Sequence, residues 1–393
     1  MTTRNPVILR GGNLPPQRRH VFAGWLIATV AICSNSPVHA EHSYAVRTVW
    51  DEYTESDLNI SVFVFRDANR NGIYDLEDRP MSGISIDSSG VGQPVSAISN
   101  SSGFANFTMS GTDRGADIKY EGAYQFDVQV PPRWAVTTGN ERQTTRFELF
   151  PGSPADLVAR PAPALVGLAP DLWIEGHSAK PLTLAARSAG ALQEAMSNEA
   201  GNFTFPVRPG NWQISSPTMP KPRQIAIAAT PVRLTESWLL QQDPPSEIPS
   251  IEATFDDLQS EGVLKIPSGY MGLDWSNFVM THQKFYEPEG YRNGVLSGEF
   301  LAYNGSGHPA TISRDKPFDF VGGYFGVSTL RAEGETLIIT GWHDEQEVYR
   351  ESMALSALGP IFLAADFRGV TRVEFTTEHY WQFTSDNLTF RLN

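Results

Sequence analysis

Short apolar runs of strand length recur along the chain. They include "ISVFVF" (60–65), "YQFDVQV" (124–130), "RQIAIA" (223–228), "TLIITG" (336–341) and "RVEFTT" (372–377). Each is β-branched or aromatic, and each is bounded by Gly, Pro, Asn or Asp, which is the pattern of strands joined by turns. Long stretches of helical period are absent. "AGALQEAMSNEAG" (189–201) is the best helical candidate, and it reads equally as a strand and a turn. The 28 prolines and 33 glycines supply the many turns such a chain needs. The pattern predicts an all-β chain of packed sandwiches.

Two proline-rich joints divide it. "LFPGSPADLVARPAPALVG" (149–167) and "QQDPPSEIPSIEATFDDL" (241–258) lack periodicity and read as short, stiff linkers. They set expected modules at 41–155, 156–250 and 251–393. The first two carry related blocks. "SNSSGFANF" (99–107) aligns with "SNEAGNFTF" (197–205), and "GAYQF" (122–126) aligns with "GNWQI" (210–214). The shared logic is a turn at Gly103 or Gly201, where positive φ is cheap, followed by an alternating strand. That strand points Phe107 or Phe205 inward, and a later strand places Tyr124 or Trp212 in the core. Two matched blocks in the same order point to duplication.

After "ISVFVF" the chain turns abruptly polar. "RDANRNGIYDLEDRP" (66–80) reads Asp67-x-Asn69-x-Asn71-Gly72-x-x-Asp75-x-x-Asp78. Numbered as a calcium loop, side-chain oxygens fall at positions 1, 3, 5, 9 and 12. Gly72 takes position 6, and the backbone carbonyl of Ile73 takes position 7. Calcium needs six or more hard oxygens around one point, and the glycine lets the chain curl about it. Position 12 is Asp rather than the bidentate Glu, so Glu77 is an alternative donor. A strand precedes the loop where an EF-hand would have a helix. The reading is structural calcium: it neutralises clustered carboxylates and stiffens the module. A solvated polar turn is the other reading.

The pattern "GISIDSSG…SNSSGFANF…GAYQFDVQVPP" resembles prealbumin-like β-sandwich modules. Residues 60–130, through "VFVFRDANRNGIYDLEDRPMSGISI", resemble the B-type repeats of bacterial surface adhesins. Residues 165–217 resemble carboxypeptidase regulatory-like domains. The resemblance implies two small prealbumin/Ig-like sandwiches acting as spacers, adhesive stalks or accessory domains, with a calcium loop in a β setting.

The third segment differs in character. It runs from "TFDDL" (254–258) through "SGYMGLDWSNF", "YRNGVLSG" and "PFDFVGGYFG" to "DNLTF" (386–390). This succession resembles secreted bacterial and fungal domains with a galactose-binding-like jelly-roll fold and no assigned activity. The resemblance covers some 140 residues and implies glycan binding only by analogy of fold. A jelly roll sets its first and last strands side by side. That would gather Asp256 and Asp257 near Asp386 and Asn387, where carboxylates repel unless a cation or donors intervene. A second cation site is expected there. Among the aromatics, "WSNF" and "GGYF" alternate as strands do and belong to the core. Trp342, followed by His343, Asp344 and Glu345, reads as a loop residue. Trp342 and Trp381 are the candidates for stacking on a sugar.

Charge and cysteine narrow the class. Arg18, Arg19 and His20, then "VFAGWLIATVAIC", then "PVHA" read as a secretory signal with Ala40 as the last residue removed. The net charge is −14, and loss of four arginines with residues 1–40 makes it −18. Such a chain repels phosphate and is not expected to bind nucleic acid. Cys33 is the only cysteine and lies inside the signal, so disulfides and thiolate chemistry are excluded after cleavage. No transmembrane segment is expected beyond the signal. There is no G-x-S-x-G, H-E-x-x-H or P-loop, and the eight histidines never take metal-ligand spacing. The expectation is a non-enzymatic protein in the secreted, periplasmic or cell-surface space. Its partner would be a polysaccharide or surface glycan, or, in a structural or adhesive role, envelope proteins.

Overall fold

The computed structural model describes residues 58–108, 116–117, 122–147, 163–241, 249–258, 260 and 262–392. The expected signal at 1–40 and its cleavage point lie outside them. The described chain is all-β, built of sandwiches.

The first sandwich holds β1 (Leu58–Arg66), β2 (Arg79–Pro80), β3 (Ser85–Gly90), β4 (Val95–Ile98), β5 (Phe104–Thr108), β6 (Ala116–Asp117), β7 (Gly122–Val128), β8 (Trp134–Val136), β9 (Arg142–Phe147) and β10 (Ala164–Pro170). One sheet runs β6-β5-β1-β10-β8 and the other β4-β3-β7-β9. Strand β1 explains why "ISVFVF" is apolar throughout. Val62 and Val64 face the sandwich core with Phe107 and Phe126. Phe63 and Phe65 face the opposite side, where Phe104 and Tyr74 cover them. Tyr74 belongs to the polar loop, and its ring lies 4.9 Å from Phe63 and 5.2 Å from Phe65. Strand β10 pairs with β1 in parallel and with β8 antiparallel. It comes from beyond residue 155, so the pairing draws Ala164–Pro170 into the first sandwich.

The second sandwich holds β11 (Trp173–His177), β12 (Thr183–Ser188), β13 (Ala191–Met196), β14 (Asn202–Pro206), β15 (Gly210–Ser215), β16 (Arg223–Ile227) and β17 (Val232–Leu234). Its sheets run β14-β11-β17 and β13-β12-β15-β16. The topology repeats the first: β11 stands for β1, β14 for β5, β17 for β10, and β13-β12-β15-β16 for β4-β3-β7-β9. The turns repeat in detail. Gly103 and Gly201 have φ of +83° and +81°, and each donates its N–H to the carbonyl of Asn100 or Asn198 at 2.9 Å. Phe107, Phe205, Tyr124 and Trp212 are all buried. The helical candidate at 189–201 is strand β13 and this turn.

The C-terminal sandwich holds β18 (Ser250–Ala253), β19 (Leu264–Lys265), β20 (Asp274–Ser276), β21 (Phe278–His282), β22 (Phe300–Asn304), β23 (Ala310–Val327), β24 (Thr336–His343), β25 (Gln346–Ala354), β26 (Ile361–Thr377) and β27 (Phe383–Leu392). The long strands β23 and β26 pair along their length with register shifts between Ser313 and Gly322. Such irregularities let strands bend and serve two faces. They enclose one core containing Trp275, Phe278, Phe320, Phe325, Phe375 and Phe390. "WSNF" and "GGYF" thus supply core residues, as their alternation predicts.

The sandwiches are joined, not strung. Val232–Leu234 of β17 pair in parallel with Phe362–Ala364 of β26, so a sheet of the second sandwich continues into the third. The short helix Glu236–Leu240 packs beside that seam, with Thr235 Oγ1 donating to the Ala365 carbonyl at 2.5 Å. Buried Asp366 receives Arg223 at 2.9 Å and Arg368 at 2.8 Å. Between the first and third sandwiches, buried Asn293 donates to the carbonyls of Ser82 (3.2 Å) and Ala357 (3.0 Å). Leu358 enters the core of the first sandwich.

Candidate functional site

The polar loop after β1 is built by its own side chains. Asp67 is buried, and its carboxylate accepts the N–H groups of Asn71 (3.1 Å) and Gly72 (2.8 Å). Asp78 closes the loop by accepting from Ala68 (2.8 Å) and Asp75 (3.0 Å). Asn69 and Asn71 both donate to Asp75 at 2.9 Å. Gly72 takes φ +73° against the Thr137 carbonyl, where a Cβ would sit 3.1 Å away. The sequence signal therefore does bring Asp67, Asn69, Asn71, Asp75 and Asp78 into one curled loop, with Ile73 at its exposed rim. Burial, helped by the charges of Asp67 and Asp75, pushes the Asp78 carboxyl up to about 6. Hydrogen bonds from Asn69, the Glu77 N–H and Asn71 hold the Asp75 carboxyl below its ordinary value, and the loop's side-chain oxygens are of the hard kind that calcium takes.

The carboxylates expected to converge at the chain's third module divide into two roles. Asp386 is fully buried; its carboxylate accepts from Leu296 (2.7 Å), Ser297 (3.1 Å) and Asn387 (2.8 Å). Asp256 accepts from Glu299 at 2.8 Å, and Gly298, at φ +54°, abuts its carboxylate so closely that a Cβ would collide. The two acids clamp the 296–299 turn from both sides. Asp257 turns away and accepts from the Tyr270 hydroxyl at 2.8 Å. Burial, together with the charge of Asp256, pushes Asp386 up to about 7. Asp256 and Asp386 thus act on the same turn, while Asp257 faces a different partner.

The two tryptophans part company. Trp342 lies within β24, not in a loop, and is half-buried. The Arg372 guanidinium covers its ring at 4.7 Å, and its indole N–H is buried without a hydrogen-bond partner among the described residues. Strand β24 runs two residues past Gly341, because Trp342 and His343 still pair with Glu347 and Gln346 of β25. Trp381 is 39% exposed, and its neighbour Tyr380 is 66% exposed. Their backbone is held: Tyr380 takes φ +60°, Thr377 Oγ1 donates to the Trp381 carbonyl at 2.7 Å, and Gly307 packs against the Tyr380 carbonyl too tightly for a side chain. His308 sits edge-on to Tyr380 at 6.1 Å. Sequence reasoning missed Tyr380 and His308 as patch members, because contact between residues 308 and 380 is a tertiary fact. Among the described residues no helix is long and apolar enough to cross a membrane.

The chain matches no family model and no curated protein. Among solved structures it is similar to the TIE protein of Bacillus anthracis, at 9% identity over 79% of this chain and 51% of that one, with a TM-score of 0.22. It therefore spans about half the length of that protein. It is also similar to a DUF3823 family protein from Parabacteroides merdae (12% identity, 57% and 100% covered, TM-score 0.15). A third likeness is to the Bacteroides ovatus mixed-linkage glucan utilization locus protein SGBP-B, solved with a mixed-linkage heptasaccharide (9% identity, 87% and 97% covered, TM-score 0.13). At these identities and TM-scores no ligand or activity transfers to this chain.

Proposed function

We propose that this is an exported, non-enzymatic binding protein whose C-terminal sandwich takes a polysaccharide or surface glycan at the Tyr380–Trp381 patch. The observation that carries the reading is the adjacent pair of exposed rings on a fixed turn. Large aromatics are ordinarily buried, and a rigid exposed pair loses little entropy when a sugar face covers it. On this reading the first two sandwiches, adhesin B-type-like and regulatory-like, present the third. Structural calcium is held by Asp67, Asn69, Asn71, the Ile73 carbonyl, Asp75 and Asp78, with a second cation at Asp256 and Asp386. Calcium supplies positive charge to carboxylates that otherwise repel. The signal at 1–40 directs the chain to a secreted, periplasmic or cell-surface location.

The test is retention of the full chain on a panel of insoluble and arrayed polysaccharides. Retention that Trp381→Ala removes while the melting temperature holds supports the reading. A wild-type chain that retains no polysaccharide overturns it. The second reading is a structural or adhesive component that binds envelope proteins. Its motivation is edge strand β13, which leaves Leu192 and Met196 exposed.

A further inference from the structure

Beside the seam between the second and third sandwiches, the shared sheet forks. Strand β26 pairs with β17 at its start, over Phe362–Ala364, and with β24 at its end, over Arg372–Thr377. The β17–β11–β14 arm and the β24–β25 arm therefore diverge from one strand. Two adjoining clefts of about 450 and 410 Å³ lie between them, sharing Asn202, Arg233, Thr336 and Ser352. Each is within the size range of small-ligand sites.

The lining is mixed: Phe203, Met353 and Ala354 stand in one cleft beside charged groups of both signs. Arg233, on β17, lies 3.9 Å from Glu175 of β11. Its Nε is buried with no hydrogen-bond partner among the described residues, so the guanidinium keeps an unused donor. Glu351, on β25, accepts the Glu236 N–H at 2.9 Å and feels the Arg233 charge. Arg350 and Glu378 complete the charged rim. Asn202 and Ser352 are exposed. The Arg233 Nε is sealed from the cleft, so the hydrogen-bonding groups a ligand can reach are the exposed Asn202 and Ser352 side chains and the charged rim.

We propose that this fork is a binding groove for an extended neutral polysaccharide, continuous with the Trp381 patch. A uniformly anionic chain would meet Glu175, Glu351 and Glu378, and a cationic one Arg233 and Arg350. A neutral chain of hydroxyls, each both donor and acceptor, satisfies both sets. The turn Thr377–Trp381 is what would join the two. Glu378 lines one cleft, and the exposed ring of Trp381 is three residues on, within about 11 Å of chain. The groove exists only where two sandwiches meet, so neither sandwich alone would hold it. The inference rests on the glycan reading above.

The test uses the full chain and three neutral polymers (hydroxyethyl cellulose, dextran and galactomannan) beside anionic polygalacturonate, in affinity electrophoresis. Oligomers of two and six sugars of any retained polymer are then titrated. The variants are Asn202→Ala/Ser352→Ala and Arg233→Gln, with Trp381→Ala for comparison and melting curves for each. The expected result is a retained neutral polymer, tighter binding of the hexamer than the dimer, and loss of that length dependence in the groove variants. The double alanine variant should lose about tenfold in hexamer affinity, the worth of two hydrogen bonds. Its two side chains are exposed, so its melting temperature should not move. If the wild type retains no neutral polymer, the glycan reading itself fails. If Trp381→Ala loses binding while both folded groove variants bind the hexamer as the wild type does, the groove alone is refuted. Retention of polygalacturonate in preference to the neutral polymers refutes the ligand class.

Discussion

At the level of single residues, the two tryptophans give opposite expectations. Trp381→Ala removes a ring that already meets solvent, so the melting temperature should stay within about 0.5 kcal/mol of equivalent stability. Trp342→Ala empties the space beneath Arg372 and strips a half-buried ring from β24. It should cost on the order of 2–4 kcal/mol, near the lower part of the range for large aromatic truncations. Chemical denaturation of both variants separates them; equal losses would show that Trp381 is packed after all. Glu351 gives the pH expectation. Burial, aided by the nearby charge of Glu236, pushes its carboxyl from 4.5 up to about 7. A raised carboxyl pKa means the folded state binds the proton more tightly than the unfolded chain. The resulting stability is full below about pH 4.5 and is lost as pH rises through 7. Glu351→Gln cannot ionise, so it should flatten that decline between pH 4.5 and 7. A variant whose stability falls with pH as steeply as the wild type would show that other groups set the slope.

Among elements, the duplicated turn is where sequence and structure agree most closely. A Cβ at Gly103 would sit 2.5 Å from the Val64 carbonyl, and one at Gly201 would collide with the Ser178 carbonyl. Both also occupy positive φ. Gly103→Ala and Gly201→Ala should each cost about 1–3 kcal/mol, the scale of strained backbone, measured as a fall in denaturation midpoint. A neutral result at either would mean the turn can relax. These turns, the curled polar loop after β1 and the alternating strands were legible because each is local: its residues contact one another within about twelve positions. The loop's test is equally local. Calcium that binds only the folded chain stabilises it by RT ln(1 + [L]/Kd), about 2.7 kcal/mol at a hundredfold excess over Kd. The melting temperature of the full chain should rise with calcium, and Asp67→Ala should remove most of the rise. Identical melting in calcium and in chelator would leave the loop as a polar turn. Strand β10 shows the limit of local reading. Nothing in "ALVGLAP" says whether it pairs forward or back, and a proline-rich stretch just before it masks the fact that it returns to β1.

For the molecule as a whole, the joints were the illegible part, because they are made by residues more than a hundred positions apart. From the sequence, residues 251–393 read as a self-contained unit on a stiff linker. The structure instead continues its sheet into β17, covers Ala364 with the second core and lodges Leu358 in the first. Asp366 is the sharpest single joint. It is buried on β26, takes φ +50° and holds Arg223 of the second sandwich beside Arg368 of its own strand. Removing one member of such a buried set leaves uncompensated charge, at a cost of about 3–5 kcal/mol. That cost falls on the seam rather than on either core. The second and third sandwiches should therefore unfold together in the wild type, as one calorimetric transition. Asp366→Ala should lower that transition and split it, with the second sandwich melting first because it has the smaller core. The rise in protease cleavage should then concentrate at residues 223–241, which lie along the seam. If the variant melts in a single transition at the wild-type temperature, the seam is held by the parallel β17–β26 pairing and the helix beside it, and the charges are incidental to it.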